Sequence, residues 1–118
     1  MTKRAPDPND FLPLTPAIAH ILLALADQDR HGYAIMQEVE RLTDGGVRMG
    51  PGTLYGTIKR MLASRLLEEA DDRPDPDLDD ERRRYYRETP LGRAVLEAET
   101  ARMATLVGAA RAKRVRAR

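Results

Sequence analysis

The sequence contains no cysteine and no tryptophan, only one phenylalanine and two histidines, and no long apolar run. The absence of cysteine excludes disulfides and thiolate metal sites. No segment approaches the roughly 18 apolar residues of a membrane helix, and the N-terminus lacks the apolar core of a secretory signal. We therefore expect one cytoplasmic domain with an appended helix, no cofactor and no contact with a membrane.

Catalytic and metal-binding motifs are also scarce. His20 and His31 have no nucleophile or metal partner that the sequence reveals, and there is no glycine-rich phosphate loop. An Asp-x-Asp-x-Asp pattern begins at Asp75, but Asp80 stands where a calcium loop needs glycine and Tyr86 where it needs glutamate. We expect neither an enzyme nor a metal site.

Charged residues are abundant and unevenly distributed, although the formal net charge is only +1. Positions 68 to 81 hold nine acidic residues and one basic residue, whereas the rest of the chain holds 19 basic and 10 acidic ones. Arginine outnumbers lysine by 17 to 3, which either suits planar contacts with phosphates and guanines or reflects codon usage. A basic body with one acidic loop indicates an anionic partner such as nucleic acid.

Three segments in the first half of the chain have helical periodicity, namely 16–26, 31–43 and 51–64. The first begins with Thr15-Pro16, an N-cap followed by proline in the first turn, and Asp29 is the expected cap of the second. Three helices of this length, with the last two joined by a short turn, are typical of a helix-turn-helix.

The third of these helices has two unlike faces. Its apolar stripe consists of Leu54, Ile58, Met61 and Leu62. The opposite side, which we call the outer face, carries small and basic residues with two hydroxyl groups at its edges: Gly52, Gly56, Lys59, Arg60 and Ala63, with Thr53 and Tyr55 beside them. Such a face is suited to lie against DNA, and the alternative is an ordinary solvated surface helix.

The periodicity changes after Arg65. Residues 66–70 and 83–87 predict two antiparallel strands joined by the acidic loop, so that a hairpin, or wing, follows the three helices. From Pro90 to about Ala112 the chain is helix-forming again. The apolar face of this helix is larger than one small domain can cover, which predicts a dimer interface formed by Leu91, Val95, Leu96, Met103, Leu106 and Val107.

The predicted fold is mainly α with a small β-hairpin, a winged helix-turn-helix plus a long C-terminal dimerisation helix. We divide the chain into an irregular N-terminal arm over 1–13, a winged helix-turn-helix DNA-binding domain over 14–88, the C-terminal dimerisation helix over 89–112 and a basic tail over 113–118.

Several motifs at these positions resemble the PadR family of bacterial transcriptional regulators. The residues that carry the resemblance are Leu14-Thr15-Pro16, His31-Gly32-Tyr33, Gly50-Pro51-Gly52-Thr53-Leu54-Tyr55, Ile58-Lys59-Arg60-Met61, Arg83-Arg84-Tyr85-Tyr86-Arg87, and Thr89 with Gly92. They lie between about residues 14 and 97, and the single terminal helix resembles the shorter subclass of the family.

The resemblance implies a homodimeric DNA-binding repressor that is commonly relieved by a small effector. Three positions depart from the family pattern. Gly50 stands where serine is usual, which weakens a helix cap, and Glu88 replaces a residue that is usually apolar. Gly56 stands where a longer side chain is common, so either a base contact is missing or the helix approaches DNA unusually closely.

We therefore predict a sequence-specific transcriptional regulator that binds an inverted-repeat operator in double-stranded DNA, with helix 51–64 in the major groove and the wing over 66–88 near the minor groove. The residues expected to bind DNA are Tyr33, Thr53, Tyr55, Gly56, Lys59, Arg60, Arg82, Arg83 and Arg84. For the two tyrosines the alternative is burial, for Lys59 and Arg60 it is solvated surface charge, and for the wing arginines it is pairing with the acidic loop. The same fold could instead serve as a protein-binding module that uses the acidic loop.

Overall fold

The computed structural model of the chain describes residues 5–70 and 84–117. In chain order its elements are a 3-10 helix over Pro8–Phe11, α1 Pro16–Ala24, β1 Arg30–His31, α2 Gly32–Leu42, α3 Pro51–Ala63, β2 Leu67–Ala70, β3 Tyr85–Glu88 and α4 Pro90–Ala112. This architecture confirms the predicted class, a mainly α winged helix-turn-helix followed by a long terminal helix. Most of the acidic loop, with Arg82 and Arg83, lies outside the described residues.

Side-chain caps determine where three of the helices begin. The Thr15 hydroxyl accepts a hydrogen bond from the amide of Ile18 at the start of α1, and the Thr89 hydroxyl accepts one from Gly92 at the start of α4. Helix α2 is capped by His31, whose Nδ1 accepts from the Ala34 amide at 3.2 Å. The prediction that Asp29 is this cap is wrong, because Arg30 and His31 are held in an extended conformation by strand pairing.

The sheet has three antiparallel strands in the order β1-β3-β2. Strands β2 and β3 pair from Leu67 opposite Glu88 to Ala70 opposite Tyr85, which is the predicted hairpin. A helix was predicted to begin at residue 31, but Arg30 and His31 form strand β1 and pair with Tyr86 and Tyr85. A two-residue strand is too short to show an alternating pattern, so the sequence gives no periodic signal for it.

One apolar core joins the four helices to the sheet. The inner stripe of α3 contributes Leu54, Ile58 and Met61, all almost fully buried, while Leu62 is partly exposed. The other large buried side chains are Ile21, Leu22, Leu25, Ile35, Val39, Leu66, Leu67, Tyr86 and Val95. Two polar residues are buried with them, Thr57 and Glu99, and neither was predicted to be internal.

The first turns of α4 pack on the segment that connects α3 to β2. The Thr89 hydroxyl donates to the carbonyl of Arg65 at 2.6 Å, and a β-carbon built on Gly92 would lie only 2.1 Å from the Leu66 carbonyl oxygen. Glycine is therefore required at position 92 for this close approach. Val95, one turn later, has no exposed surface, so its assignment to a dimer interface is wrong: it lies in the core of its own chain.

The apolar stripe of α4 continues beyond the core. Leu91 and Leu96 are partly buried against it. Every residue from Thr100 to Ala109 is exposed, because the domain ends before the helix does. Met103, Leu106 and Val107 are accordingly 44%, 63% and 48% exposed.

The N-terminal arm is more ordered than its composition predicts. Asp7 accepts a hydrogen bond from the Asn9 amide and caps the 3-10 helix, which begins with proline. Further on, the Leu14 amide donates to the Glu99 carboxylate at 2.8 Å. The prediction of an irregular arm is therefore wrong for this part, since the Asp-Pro start acts as it does at a longer helix and the following residues attach to α4.

Candidate nucleic-acid interface

The outer face of α3 is open to solvent and carries few large side chains. Thr53, Lys59 and Arg60 are exposed there. Among residues 5–70 and 84–117, a β-carbon built on Gly52 would meet no atom within 4 Å, and one built on Gly56 would meet only the Arg60 guanidinium, at 3.8 Å. Glycine in a helix interior costs about 0.8–1.0 kcal/mol relative to alanine, so Gly56 lowers helix stability although no contact among the described residues requires it.

The Arg60 side chain is held on this face by a buried hydroxyl. Thr57 is only 1% exposed, and its Oγ1 donates to the carbonyl of Thr53 at 2.7 Å. The same oxygen accepts a hydrogen bond from Arg60 Nη2 at 3.2 Å. The guanidinium therefore lies back along the helix toward its N-terminal half, beside Gly56. Thr57 was missed in the sequence, because a single threonine at the edge of an apolar stripe carries no distinctive pattern.

The two candidate tyrosines have different environments. Tyr33 is 58% exposed, so the alternative of burial against the first helix is wrong for it. Tyr55 is partly buried against the core. A β-carbon built on Gly32 would lie 2.5 Å from the Tyr55 hydroxyl oxygen, so the hydroxyl fills the space that this glycine leaves at the start of α2. Tyr55 thus packs α3 against α2 and places a polar group beside the residue that precedes Tyr33.

In the wing, exposed ion pairs cross the hairpin. Arg84 Nη1 lies 3.4 Å from Glu69 Oε1, and Arg87 donates to Glu68 at 2.9 Å. The observed partner of Arg84 is thus a carboxylate on β2, within the hairpin itself. Exposed pairs of this kind contribute little to stability, about 0–1 kcal/mol, so a phosphate can replace either carboxylate at small cost.

Two largely buried carboxylates, Glu88 and Glu99, form ion pairs with arginines of α4. Burial raises the pKa of Glu88, and the ion pair with Arg93 offsets this only in part. Its second carboxylate oxygen, Oε2, has no hydrogen-bond partner among the described residues. The hydrogen bond from Arg102 lowers the pKa of Glu99 despite the opposing effect of burial, and the Leu14 amide lowers it further. Both groups lie in contacts that hold α4, and neither lies on the outer face of α3.

The two histidines also have structural contacts. His31 caps α2 and packs edge-on against Tyr85, with ring centroids 5.4 Å apart. His20 Nδ1 lies 2.6 Å from the Pro16 carbonyl, within α1. Over residues 5–70 and 84–117, no group of three or more histidine, aspartate or glutamate side chains could hold a metal ion. In the same ranges no helix combines the length and apolarity needed to cross a membrane.

Of the sequence-predicted DNA-binding residues, four share one surface: Thr53, Gly56, Lys59 and Arg60 lie on the outer face of α3. Tyr33 is exposed at the start of α2, Tyr55 lies between these helices, and Arg84 lies on the wing. Three helices, a turn before α3 and a hairpin after it define a winged helix-turn-helix protein.

The chain belongs to the transcriptional regulator PadR-like family, whose model matches residues 21–98. It is 44% identical over 77 residues to the transcriptional regulator Rv3488 of Mycobacterium tuberculosis, which is 65% of each protein. It is 40% identical over 88 residues, 75% of this chain, to an uncharacterized 37.1 kDa protein in transposon TN4556 of Streptomyces fradiae. The chain spans 23% of that longer protein.

Solved structures have the same fold. A PadR family transcription regulator from Clostridium difficile R20291 matches with a TM-score of 0.65 at 21% identity, over 82% of this chain and 96% of that one. The complex structure of hsRosR-SG, where RosR is a protein of H. salinarum, matches with a TM-score of 0.63 at 29% identity, over 90% and 88% of the two chains.

Proposed function

We propose that this chain is a homodimeric repressor that binds an inverted-repeat operator in double-stranded DNA, with α3 in the major groove. The observation that carries the proposal is the outer face of α3. Its glycines are not required by any contact among the described residues, while Lys59 and Arg60 beside them supply positive charge. A helix face with few large side chains and with cations beside it fits the major groove of DNA, which is about 12 Å wide and bordered by phosphates.

The other residues that the sequence predicts at the DNA interface are Tyr33, Tyr55 and the wing arginines. Tyr33 is exposed at the start of α2, where a hydroxyl can donate to a phosphate. Tyr55 acts through packing, because its hydroxyl fixes the relation of α3 to α2. Arg84 is exposed directly before β3 of the wing, and we assign it a contact in the minor groove, with the same role for Arg82 and Arg83 from sequence alone.

Dimer formation is proposed from the exposed half of α4. One stripe of α4 runs from the core into solvent. Its buried part is Gly92, Val95 and Glu99, and its exposed part is Met103, Leu106 and Val107. Large apolar side chains that are aligned and exposed favour a second copy of the chain as their cover. A two-fold dimer presents two equivalent α3 helices, so the half-site centres should lie ~34–36 Å apart. With DNA as its partner, the protein acts in the cytoplasm.

Relief by a small effector is a further part of the proposal. A cavity of ≈ 280 Å³ lies beneath the arm, with mostly apolar walls, and its lining includes Phe11, Leu14, Ile18, Met61 and Leu66. Arg60 also lines it. A ligand in this cavity would therefore touch a residue of the outer face of α3, which offers a direct route from effector to DNA affinity.

The experiment that tests the proposal removes the two cations of the outer face. We expect Lys59→Ala with Arg60→Ala to weaken operator binding by about tenfold or more and to lower the slope of log affinity against log salt, by ~0.9 for each phosphate that is no longer neutralised. The melting temperature should change little, because both side chains are exposed.

A matched control removes two exposed cations from the far end of α4, Arg111→Ala with Lys113→Ala. Equal losses of affinity in the two double variants would mean that binding depends on total charge, and α3 would not be the reading element. The protein-binding alternative makes a different forecast: neither double variant would alter DNA binding, and the acidic loop would be needed for capture of a basic protein.

A further inference from the structure

We propose that Thr57 positions Arg60 for base reading: the buried hydroxyl holds the guanidinium in the orientation that recognises a guanine edge. This inference rests on the proposed function, in which α3 enters the major groove. Thr57 itself does not touch DNA, since it is 1% exposed in the free chain. Its role is that of a positioning residue.

The polarity of the hydrogen bonds fixes the direction of this interaction. A threonine hydroxyl has one proton and two acceptor lone pairs. The proton of Thr57 is donated to the Thr53 carbonyl at 2.7 Å, so the lone pairs remain for a donor. Arg60 Nη2, at 3.2 Å, is that donor. Because arginine can only donate, the two bonds are compatible and neither requires the hydroxyl to rotate.

The orientation places the guanidinium where a helix-turn-helix reads bases. Arg60 lies in the C-terminal half of α3, but its bond to Thr57 turns the side chain back toward the N-terminal half, the part that contacts base edges in this class of protein. Nη1 lies 3.8 Å from where a β-carbon of residue 56 would be, and no other described residue comes within 4 Å of that position. One of the five guanidinium N–H groups is used by Thr57, and a bidentate contact with guanine O6 and N7 needs two.

Pre-orientation should contribute to affinity for the correct sequence and little to affinity for any other. Ordering a long side chain at an interface has an entropic cost. Because Thr57 already orders Arg60 in the free chain, less of this cost arises when DNA binds. Attraction between a guanidinium and phosphates needs no such order, because it depends mainly on charge. Loss of the hydroxyl should therefore reduce specificity while leaving the charge of the outer face unchanged.

The test compares Thr57→Val, which keeps the shape and removes the hydroxyl, with Thr57→Ser, which keeps the hydroxyl. We expect Thr57→Val to weaken operator binding about three- to tenfold. Binding to random DNA and the salt slope should be unchanged, and Thr57→Ser should retain most of the operator affinity. In an Arg60→Ala background, Thr57→Val should have no further effect on binding.

Thr100→Val is the matched control. Thr100 makes the same bond to the carbonyl four residues earlier, at 2.8 Å to Leu96, but on α4 and away from the outer face of α3. It reports what loss of such a hydroxyl does to helix geometry alone, and thermal unfolding of both valine variants shows whether they remain folded.

The outcomes separate this inference from the proposed function. If Arg60→Ala and Lys59→Ala leave all DNA binding unchanged, α3 is not the reading element and the proposed function is wrong. If Arg60→Ala weakens operator binding but Thr57→Val behaves like Thr100→Val, only the positioning role is wrong. Equal losses of affinity for operator and random DNA in Thr57→Val would mean that Arg60 is held for a phosphate, which also overturns base reading.

Discussion

At the scale of single residues, Gly56 leaves one position on the outer face of α3 without a side chain. The resemblance to the PadR family implies a longer side chain at this position, and the sequence left two explanations for Gly56 open. We propose close approach of α3 to DNA as the explanation; a β-carbon at this position would meet only the Arg60 guanidinium among the described residues, at an ordinary contact distance of 3.8 Å. Nothing within the described chain therefore requires glycine here.

Gly56→Ala should separate stability from binding. Alanine is favoured over glycine in a helix by about 0.8–1.0 kcal/mol, so the melting temperature should rise by a few degrees. The added methyl group should at the same time weaken operator binding by about fivefold or more, because it occupies space on the side that faces DNA. Thermal unfolding and fluorescence anisotropy measure the two effects.

Gly108→Ala is the control for this change, since a β-carbon at Gly108 in α4 also meets no atom within 4 Å. It should raise the melting temperature similarly and leave DNA affinity unchanged. A Gly56→Ala variant that binds operator as well as the parent would contradict close approach, and a missing base contact would then be the better explanation.

The roles of single residues were predictable where they repeat a pattern. Lys59 and Arg60 follow from the helical period, which places them opposite Leu54 and Ile58. Thr57 and Glu99 were missed, because their importance depends on hydrogen bonds to particular partners, and composition and period do not report these. Glu99 did carry one usable signal: it lies four residues after Val95, on the same apolar stripe.

At the scale of elements, arginines of α4 pair with two carboxylates, Glu88 and Glu99, whose pKa values are shifted in opposite directions. Glu99 connects the arm to α4 through the Leu14 amide and Arg102, and these partners lower its pKa. Glu88 lies at the end of β3, where burial raises its pKa even though Arg93 is paired with it. The ionised form is therefore favoured by folding at Glu99 and disfavoured at Glu88.

The two glutamine substitutions should consequently change stability in opposite directions. For Glu99, whose pKa is lowered in the folded chain, the stabilisation is present above the ordinary carboxyl pKa and is lost as pH falls through the folded value. Glu99→Gln should lower the melting temperature at pH 7. For Glu88, whose pKa is raised, stability falls as pH rises from the ordinary value to the folded one, so Glu88→Gln should raise the melting temperature at pH 7.

Both differences from the parent should shrink as pH falls below the ordinary carboxyl pKa of 4.5, where these side chains are neutral in the unfolded chain. Thermal unfolding between pH 3 and 8 follows them. A lower melting temperature for Glu88→Gln at neutral pH would show that the ion pair with Arg93 outweighs burial.

The elements themselves were predictable to different degrees. Helices α3 and α4 have the predicted starts at Pro51 and Pro90, because proline in the first turn is a strong local signal. Strand β1 and the His31 cap were not predictable, because both depend on pairing with β3, which lies more than 50 residues later in the chain. Tertiary pairing of this kind leaves no mark on local periodicity.

At the scale of the whole molecule, the unpartnered half of α4 is the main reason to expect a second copy. The helix has 23 residues, but its burial ends after Glu99, and the remaining apolar side chains are exposed in the isolated chain. The sequence shows that this stripe is apolar. It does not show which part is buried in the core and which part is exposed, because helical periodicity alone does not reveal where the domain ends.

Met103→Asp with Leu106→Asp should yield a monomer, because burying unpaired carboxylates in an interface is strongly unfavourable. Ala101→Asp with Thr105→Asp, on the opposite side of the same exposed helical segment, should leave the oligomeric state unchanged. Sedimentation at micromolar concentration measures both. A parent protein that is already monomeric would rule out this interface.

The central claim, that the chain reads DNA through two symmetry-related copies of α3, is tested most directly by identifying its binding site. The purified protein should be used to select fragments of its parent genome, and the enriched fragments should then be footprinted. We predict two inverted half-sites with centres ~34–36 Å apart, protected in the parent protein and no longer protected in Lys59→Ala with Arg60→Ala. Enrichment of no fragment, or a single unrepeated site whose protection survives that double substitution, would contradict it.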